Sequence, residues 1–269
     1  MADLKSREYL ADFIHSCQTF LTVGLDSDMA KLPACVRGDV LSFNKAIIDA
    51  TKDYCISYKI NFAFYETLGK AGWDILEKTI QHIPETHFII ADAKRGDIGN
   101  TSEMYAKAVF DHLGCDAITV NPYMGKDSVT PFYREGKWVI ILGLTSNTGS
   151  QDFQKTVLAD GKAMYDHVMQ TTASWGNIHN TMYVIGATQG EEMQIIRDHF
   201  PEHFFLVPGV GAQGGDLHST CRHGANRDGG LLINASRSIL YAGSDNDFAE
   251  AASKEAMRLT TEMRAYIHS

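Results

Sequence analysis

The sequence has no long apolar run, no excess of positive charge, no closely spaced cysteine pair and no internal repeat. Each absence excludes something. A membrane-crossing helix needs roughly 18 or more consecutive apolar residues, and none is found; the N-terminal stretch is charged, so no secretory signal is read and a cytoplasmic location is expected. With 24 Lys and Arg against 33 Asp and Glu, a net charge of −9, the chain lacks the basic footprint that nonspecific nucleic-acid binding requires. A small anionic ligand needs only a few local cations and stays open. The five cysteines, at 17, 35, 55, 115 and 221, form neither a CxxC pair nor a zinc-type spacing, so they are expected to be reduced, mostly buried thiols with no metal among them.

What is there is a soluble α/β pattern. At 269 residues, 44% hydrophobic and 21% charged, the chain fits a single α/β barrel, a class that reaches this length as one domain. After a helix over about 4–18, short apolar strands alternate with helical stretches. The strands are read at 20–26, 55–61, 86–92, 116–120, 138–144, 182–186, 204–207 and 230–234. The helices are read at about 41–54, 65–82, 98–113, 126–135, 160–175, 190–199, 214–224 and 246–267. Eight strands, each followed by a helix, predict a parallel (β/α)₈ barrel spanning 1–269. An open doubly wound sheet is the structural alternative.

The chain is organised around Ile89–Thr101, where an apolar run ends in Asp92, Lys94 and Asp97. Side chains alternate along a strand, so Phe88, Ile90, Asp92 and Lys94 are expected to point one way. Two acids flanking a lysine suit catalysis better than packing. Other polar residues also gather where strands end: Asp26, Lys59, Asn61, Asn121, Thr145, Ser146, Gln213, Ser236 and Arg237. In a barrel those ends form one ring around one mouth, the face on which sites are built. Gly209–Gly214 formally matches the dinucleotide pattern GxGxxG, but it falls late in the chain and no acid ends the next strand. It reads better as a glycine loop offering backbone amides to a phosphate, with Arg237 after the eighth strand able to fork onto the same group.

These residues carry a family resemblance. The run from Asp92 through Lys94 and Asp97 to Thr101 is similar to the Asp-x-Lys-x-x-Asp signature of the orotidine 5′-phosphate decarboxylase family, in the form of its longer bacterial subgroup. Val23–Asp26, Lys59 with Asn61, Thr145–Ser150, Pro208–Gln213 and Ser236 with Arg237 resemble that family's other motifs. The chain is too short for a fused phosphoribosyltransferase, so the monofunctional form is expected. The resemblance implies conversion of orotidine 5′-phosphate to UMP and CO₂ in pyrimidine biosynthesis, with no cofactor. It implies Lys94 as the proton donor and the cation facing a C6 carbanion, Asp92 against the departing carboxylate, and Lys59 holding Asp92 and Asp97. It places Asp26 and, less directly, Asn61 at the ribose, Ser146 at the pyrimidine, and Pro208, Gln213, Ser236 and Arg237 around the phosphate. It also implies a homodimer in which Asp97 and Thr101 reach the neighbouring site. Lys59, Asp92, Lys94 and Asp97 sum to zero charge, an arrangement in which each group favours its neighbour's ionised form.

Two rivals keep the fold. A magnesium-dependent decarboxylase or aldolase of keto-sugar phosphates shares the Asp-x-Lys-x-x-Asp signature and would use an acid as a metal ligand. A non-catalytic barrel that only binds a phosphorylated ligand is the other.

Overall fold

The computed structural model describes residues 5–36, 38–187, 190–209 and 216–267. Eight parallel strands close on themselves in sequence order, each bonded to the next and the last to the first. They are β1 (Leu21–Gly24), β2 (Ser57–Asn61), β3 (Phe88–Arg95), β4 (Ala117–Val120), β5 (Trp138–Leu144), β6 (Thr181–Ile185), β7 (Phe204–Pro208) and β8 (Leu231–Ala235). The expected barrel is the observed one, and the open sheet is excluded.

The helices follow the strands with local departures. The first is α1 (Arg7–Cys17), capped by the Ser6 hydroxyl, which accepts from the Tyr9 N–H; α2 is Val40–Thr51. The helix read at 65–82 is two: α3 (Phe62–Glu66), which starts at once after β2, and α4 (Gly69–His82). They divide at Gly69, whose φ of +60° breaks the helical path. The helix read at 98–113 is α5 (Gly99–Ala106), which widens into a π-helical turn over Lys107–His112. Short α6 (Lys126–Val129) stops ahead of Pro131, which sits in a 3₁₀ turn. Then come α7 (Met164–Ala173), α8 (Gly190–His199), α9 (Leu217–Gly224), the unexpected four-residue α10 (Arg237–Leu240) and α11 (Phe248–Met263). Among the described residues no helix is long and apolar enough to cross a membrane.

The N-terminal end of the barrel is plugged. Phe88, Trp138 and Phe204, the first residues of β3, β5 and β7, meet edge to face, a layer built from alternate strands as barrel geometry favours. The segment entering α1 covers them. Arg7 lies 5.3 Å over the Phe204 ring and pairs with Asp228 at 2.6 Å, while Lys5 pairs with Asp116 at 2.7 Å. With this end packed shut, chemistry is left to the other one.

All five cysteines are free. Burial pushes the thiols of Cys55, Cys115 and Cys221 up to about 12, which keeps them protonated and inert. Cys17 is half-buried and Cys35 exposed, so the thiols are mostly buried, as expected, with Cys35 the exception.

Candidate active site

The C-terminal ends of β1 to β3 carry four charged side chains in one unbroken chain of contacts. Lys59 Nζ donates to Asp92 Oδ2 at 2.9 Å and lies 3.4 Å from Asp26 Oδ1. Lys94 Nζ donates to the other oxygen of Asp92, Oδ1, at 2.5 Å. The order is therefore Asp26, Lys59, Asp92, Lys94, with the two charge signs alternating and cancelling. The Lys59 and Asp92 side chains are 4% and 9% exposed and that of Lys94 50%. The chain thus runs from the barrel wall to a half-exposed lysine at the mouth.

Register explains the meeting. Lys59 stands beside Ile90, and Asn61 beside Asp92, on adjacent strands. Burial alone would raise the Asp92 pKa, but the ammoniums of Lys59 and Lys94 outweigh it and hold the carboxyl well below its usual range. Burial alone would lower that of Lys59; the carboxylates of Asp26 and Asp92 overcome this and the net shift is upward.

Strict alternation does not deliver Lys94. Along β3 and β4, Ala91 pairs with Ile118 and Arg95 with Val120, so β3 uses four steps where β4 uses two. The extra length forms a bulge, and Lys94 sits in the left-handed region at φ +47°. For a residue with a Cβ that conformation costs about 1–2 kcal/mol, and a strained backbone of this kind tends to mark a functional position. Arg95 beyond it is anchored on Glu66 and over the Tyr105 ring. Lys94 is therefore held from both sides.

The other expected site residues fall as follows. Asn61 ends β2 and its Oδ1 accepts from the Ala63 N–H at 3.1 Å, capping α3. Asn61, Asp92 and Lys94 together line a recess of about 260 Å³. Ser146 is exposed in a larger cavity of about 740 Å³ that Lys155 and Tyr165 also line. Gly186 admits the Ser146 backbone: a Cβ there would meet its nitrogen at 2.5 Å. Pro208 closes β7 beside Asn234 of β8, and Gly209 follows at φ +89°. Ser236 accepts from Asn234 Nδ2 at 3.1 Å and packs so close to Gly24 that a Cβ there would come within 1.9 Å of its hydroxyl. Arg237 opens α10, its side chain exposed and without an ion pair among the described residues. Gln213 lies outside the described residues.

Asp97 and Thr101 are not brought to this cluster. Asp97 Oδ1 accepts from the Ile98 N–H at 2.8 Å, and Thr101 is exposed on α5. Among the described residues Lys59 pairs with Asp26 and Asp92, so its expected hold on Asp97 is not made inside one chain. Asp26 takes that place. Thr119 was not singled out from the sequence, yet it touches both Asp92 and Lys94. A threonine inside an apolar strand carries no signal of such contacts.

A closed (β/α)₈ barrel with an alternating charge relay at its C-terminal mouth defines a barrel enzyme. The sequence profile described as the Orotidine 5′-phosphate decarboxylase / HUMPS family matches residues 19–252. The chain is 50% identical over 265 residues to the orotidine 5′-phosphate decarboxylase of Phocaeicola vulgatus, covering 96% of this chain and 97% of that one. It is 51% identical over 271 residues to that of Parabacteroides distasonis, covering 98% and 96%. Among solved structures, one from Toxoplasma gondii superposes with a TM-score of 0.88 at 32% identity over 99% of each chain. The OMP decarboxylase of Leishmania donovani gives 0.80 at 34% identity, covering 95% of this chain and 99% of that one. The chain belongs to the orotidine 5′-phosphate decarboxylase / HUMPS family, and within it is a carboxy-lyase.

Proposed function

We propose that the whole chain, acting as one barrel unit in the cytoplasm, converts orotidine 5′-phosphate to UMP and CO₂ for pyrimidine biosynthesis without a cofactor. The observation that carries this is the alternating chain Asp26–Lys59–Asp92–Lys94. Loss of CO₂ from C6 of the pyrimidine leaves an electron pair in the ring plane, where the π system cannot take it up. Fixed charge must stabilise it, and preorganised charge in a partly buried site is worth far more than in water. Lys94 presents the ammonium that faces the developing carbanion and then protonates C6. Asp92, buried and kept ionised, stands beside the departing carboxylate and loses a repulsion as CO₂ leaves.

Remote groups supply binding energy to hold the substrate in place. Asp26 and Asn61 serve the ribose and Ser146 the pyrimidine. Ser236 and Arg237, with Pro208 and Gln213, take the phosphate; the exposed guanidinium of Arg237 suits two-point contact with its oxygens. The carboxylates of Asp26 and Asp92 are already paired with ammoniums, which favours a metal-free reaction over the magnesium-dependent alternative. Dialysis against EDTA is expected to leave the decarboxylation rate unchanged, and a rate restored only by Mg²⁺ would assign the chain to the rival chemistry.

The site is completed across a homodimer. Ile98, Met104, Tyr123, Met124 and Phe153 are large apolar side chains, all 47% or more exposed, and two of them lie on the segment holding Asp97 and Thr101. A partner covering Ile98 and Met104 would bury apolar surface beside Asp97 and Thr101. Asp97→Ala and Lys94→Ala proteins are each expected to be nearly inactive. Unfolded and reassociated at equal amounts they form hybrids with one intact site in two, so about a quarter of normal activity should return if the dimer is two-fold symmetric. Hybrids that form and stay inactive would refute the sharing.

A further inference from the structure

We propose that Thr119 is a positioning residue for this reaction, its hydroxyl setting both the backbone of Lys94 and the carboxylate of Asp92. The inference rests on the proposed decarboxylase reading and deepens it. Thr119 is fully buried near the end of β4. Its Oγ1 accepts from the Lys94 N–H at 2.9 Å and donates to Asp92 Oδ1 at 3.1 Å. One hydroxyl thus uses its proton on one charged residue of the site and a lone pair on the next.

The geometry gives both bonds a task. Where β3 bulges away from β4, the Lys94 N–H has lost the strand carbonyl that a regular ladder would offer. A buried amide without an acceptor is costly, and Lys94 also carries the strain of a positive φ. The Thr119 hydroxyl replaces the missing acceptor and thereby selects the left-handed conformation. Its proton meanwhile goes to the same carboxylate oxygen that receives Lys94 Nζ, while Lys59 takes the other oxygen. With all three contacts the Asp92 carboxylate plane is fixed. Without Thr119 the two ammoniums still hold one oxygen each, but the contact from β4 that fixes their plane is gone, and the Lys94 backbone is free to leave the bulge. A displacement of about 1 Å at reacting groups costs on the order of 100-fold in rate.

The test uses Thr119→Val, which keeps the shape and removes the hydroxyl, and Thr119→Ser, which keeps the hydroxyl. Steady-state decarboxylation of orotidine 5′-phosphate is measured for both and for the unaltered protein. Valine is expected to lower kcat by about 10- to 100-fold with KM within about threefold, since the lost contacts act on reacting groups; serine is expected to stay within about threefold of the unaltered enzyme. If valine prevents folding, Thr119→Ala takes its place with the same expectation. A folded valine or alanine variant with unchanged kcat, or a serine variant as slow as valine, overturns the proposal. An unaltered protein that does not decarboxylate the substrate refutes the underlying reading instead.

Discussion

Replacing Lys94 by alanine is expected to lower kcat and kcat/KM together by about 10⁴-fold or more, with the fold retained. General acid catalysis is worth roughly 10²–10⁴, and loss of one preorganised charge facing the transition state a further 10²–10³ or so. Those contributions come from a single ammonium here, so they are lost together. Equal falls in the two constants are the signature of an interaction made only in the transition state. The fold survives because the side chain is half exposed and Asp92 keeps its bonds to Lys59 and Thr119. Steady-state kinetics beside a thermal melt checks both halves of this expectation.

Replacing Lys59 by methionine has the opposite balance, a large loss of stability as well as of activity. Its ammonium is the buried link between Asp26 and Asp92. Removing one partner of a buried ion pair typically costs about 3–5 kcal/mol, because the remaining charge is left unpaired. The pH dependence has a definite sign. The Asp92 pKa is lowered in the folded protein, so its contribution is present above the unfolded carboxyl value, near 4, and is lost as pH falls through the folded value below that. The Lys59 pKa is raised, so its contribution is complete below the unfolded lysine value, near 10, and is lost only as pH rises past it. Between those limits the pair stabilises fully. In the methionine variant Asp92 loses its deepest partner and takes up a proton more readily, so the stability gap to the unaltered protein is widest near neutrality and narrows as pH falls through about 4. Denaturant unfolding at pH 7 and pH 4 measures it, and a gap that widens on acidification would refute the assignment of charges.

Much of this was legible in the sequence because it rests on local pattern. Apolar runs of strand length, each ending in a polar residue, gave the eight strands and their common mouth. The spacing of Asp92 and Lys94 located the charges that meet there. What stayed hidden depends on how distant strands fit. The bulge at Lys94 is a mismatch between β3 and β4, and nothing within β3 announces it; a lysine at positive φ contradicts local preference. Thr119 looked like any β-branched strand residue, and its contacts appear only once β4 lies beside the bulge. Asp26 was read toward the ribose, yet its nearest charge is Lys59, a contact set by the closing of β1 onto β2. Gly69 splits the helix after β2 through a backbone angle that glycine permits but does not require.

The central claim is that fixed charge alone, ending in Lys94, carries the decarboxylation. Its most direct test is the ultraviolet absorbance of orotidine 5′-phosphate mixed with EDTA-treated protein, followed beside the Lys94→Ala variant. A rapid loss of absorbance with the unaltered protein and almost none with the variant is the expected result. No loss with the unaltered metal-free protein, or an equal rate with the variant, would contradict it.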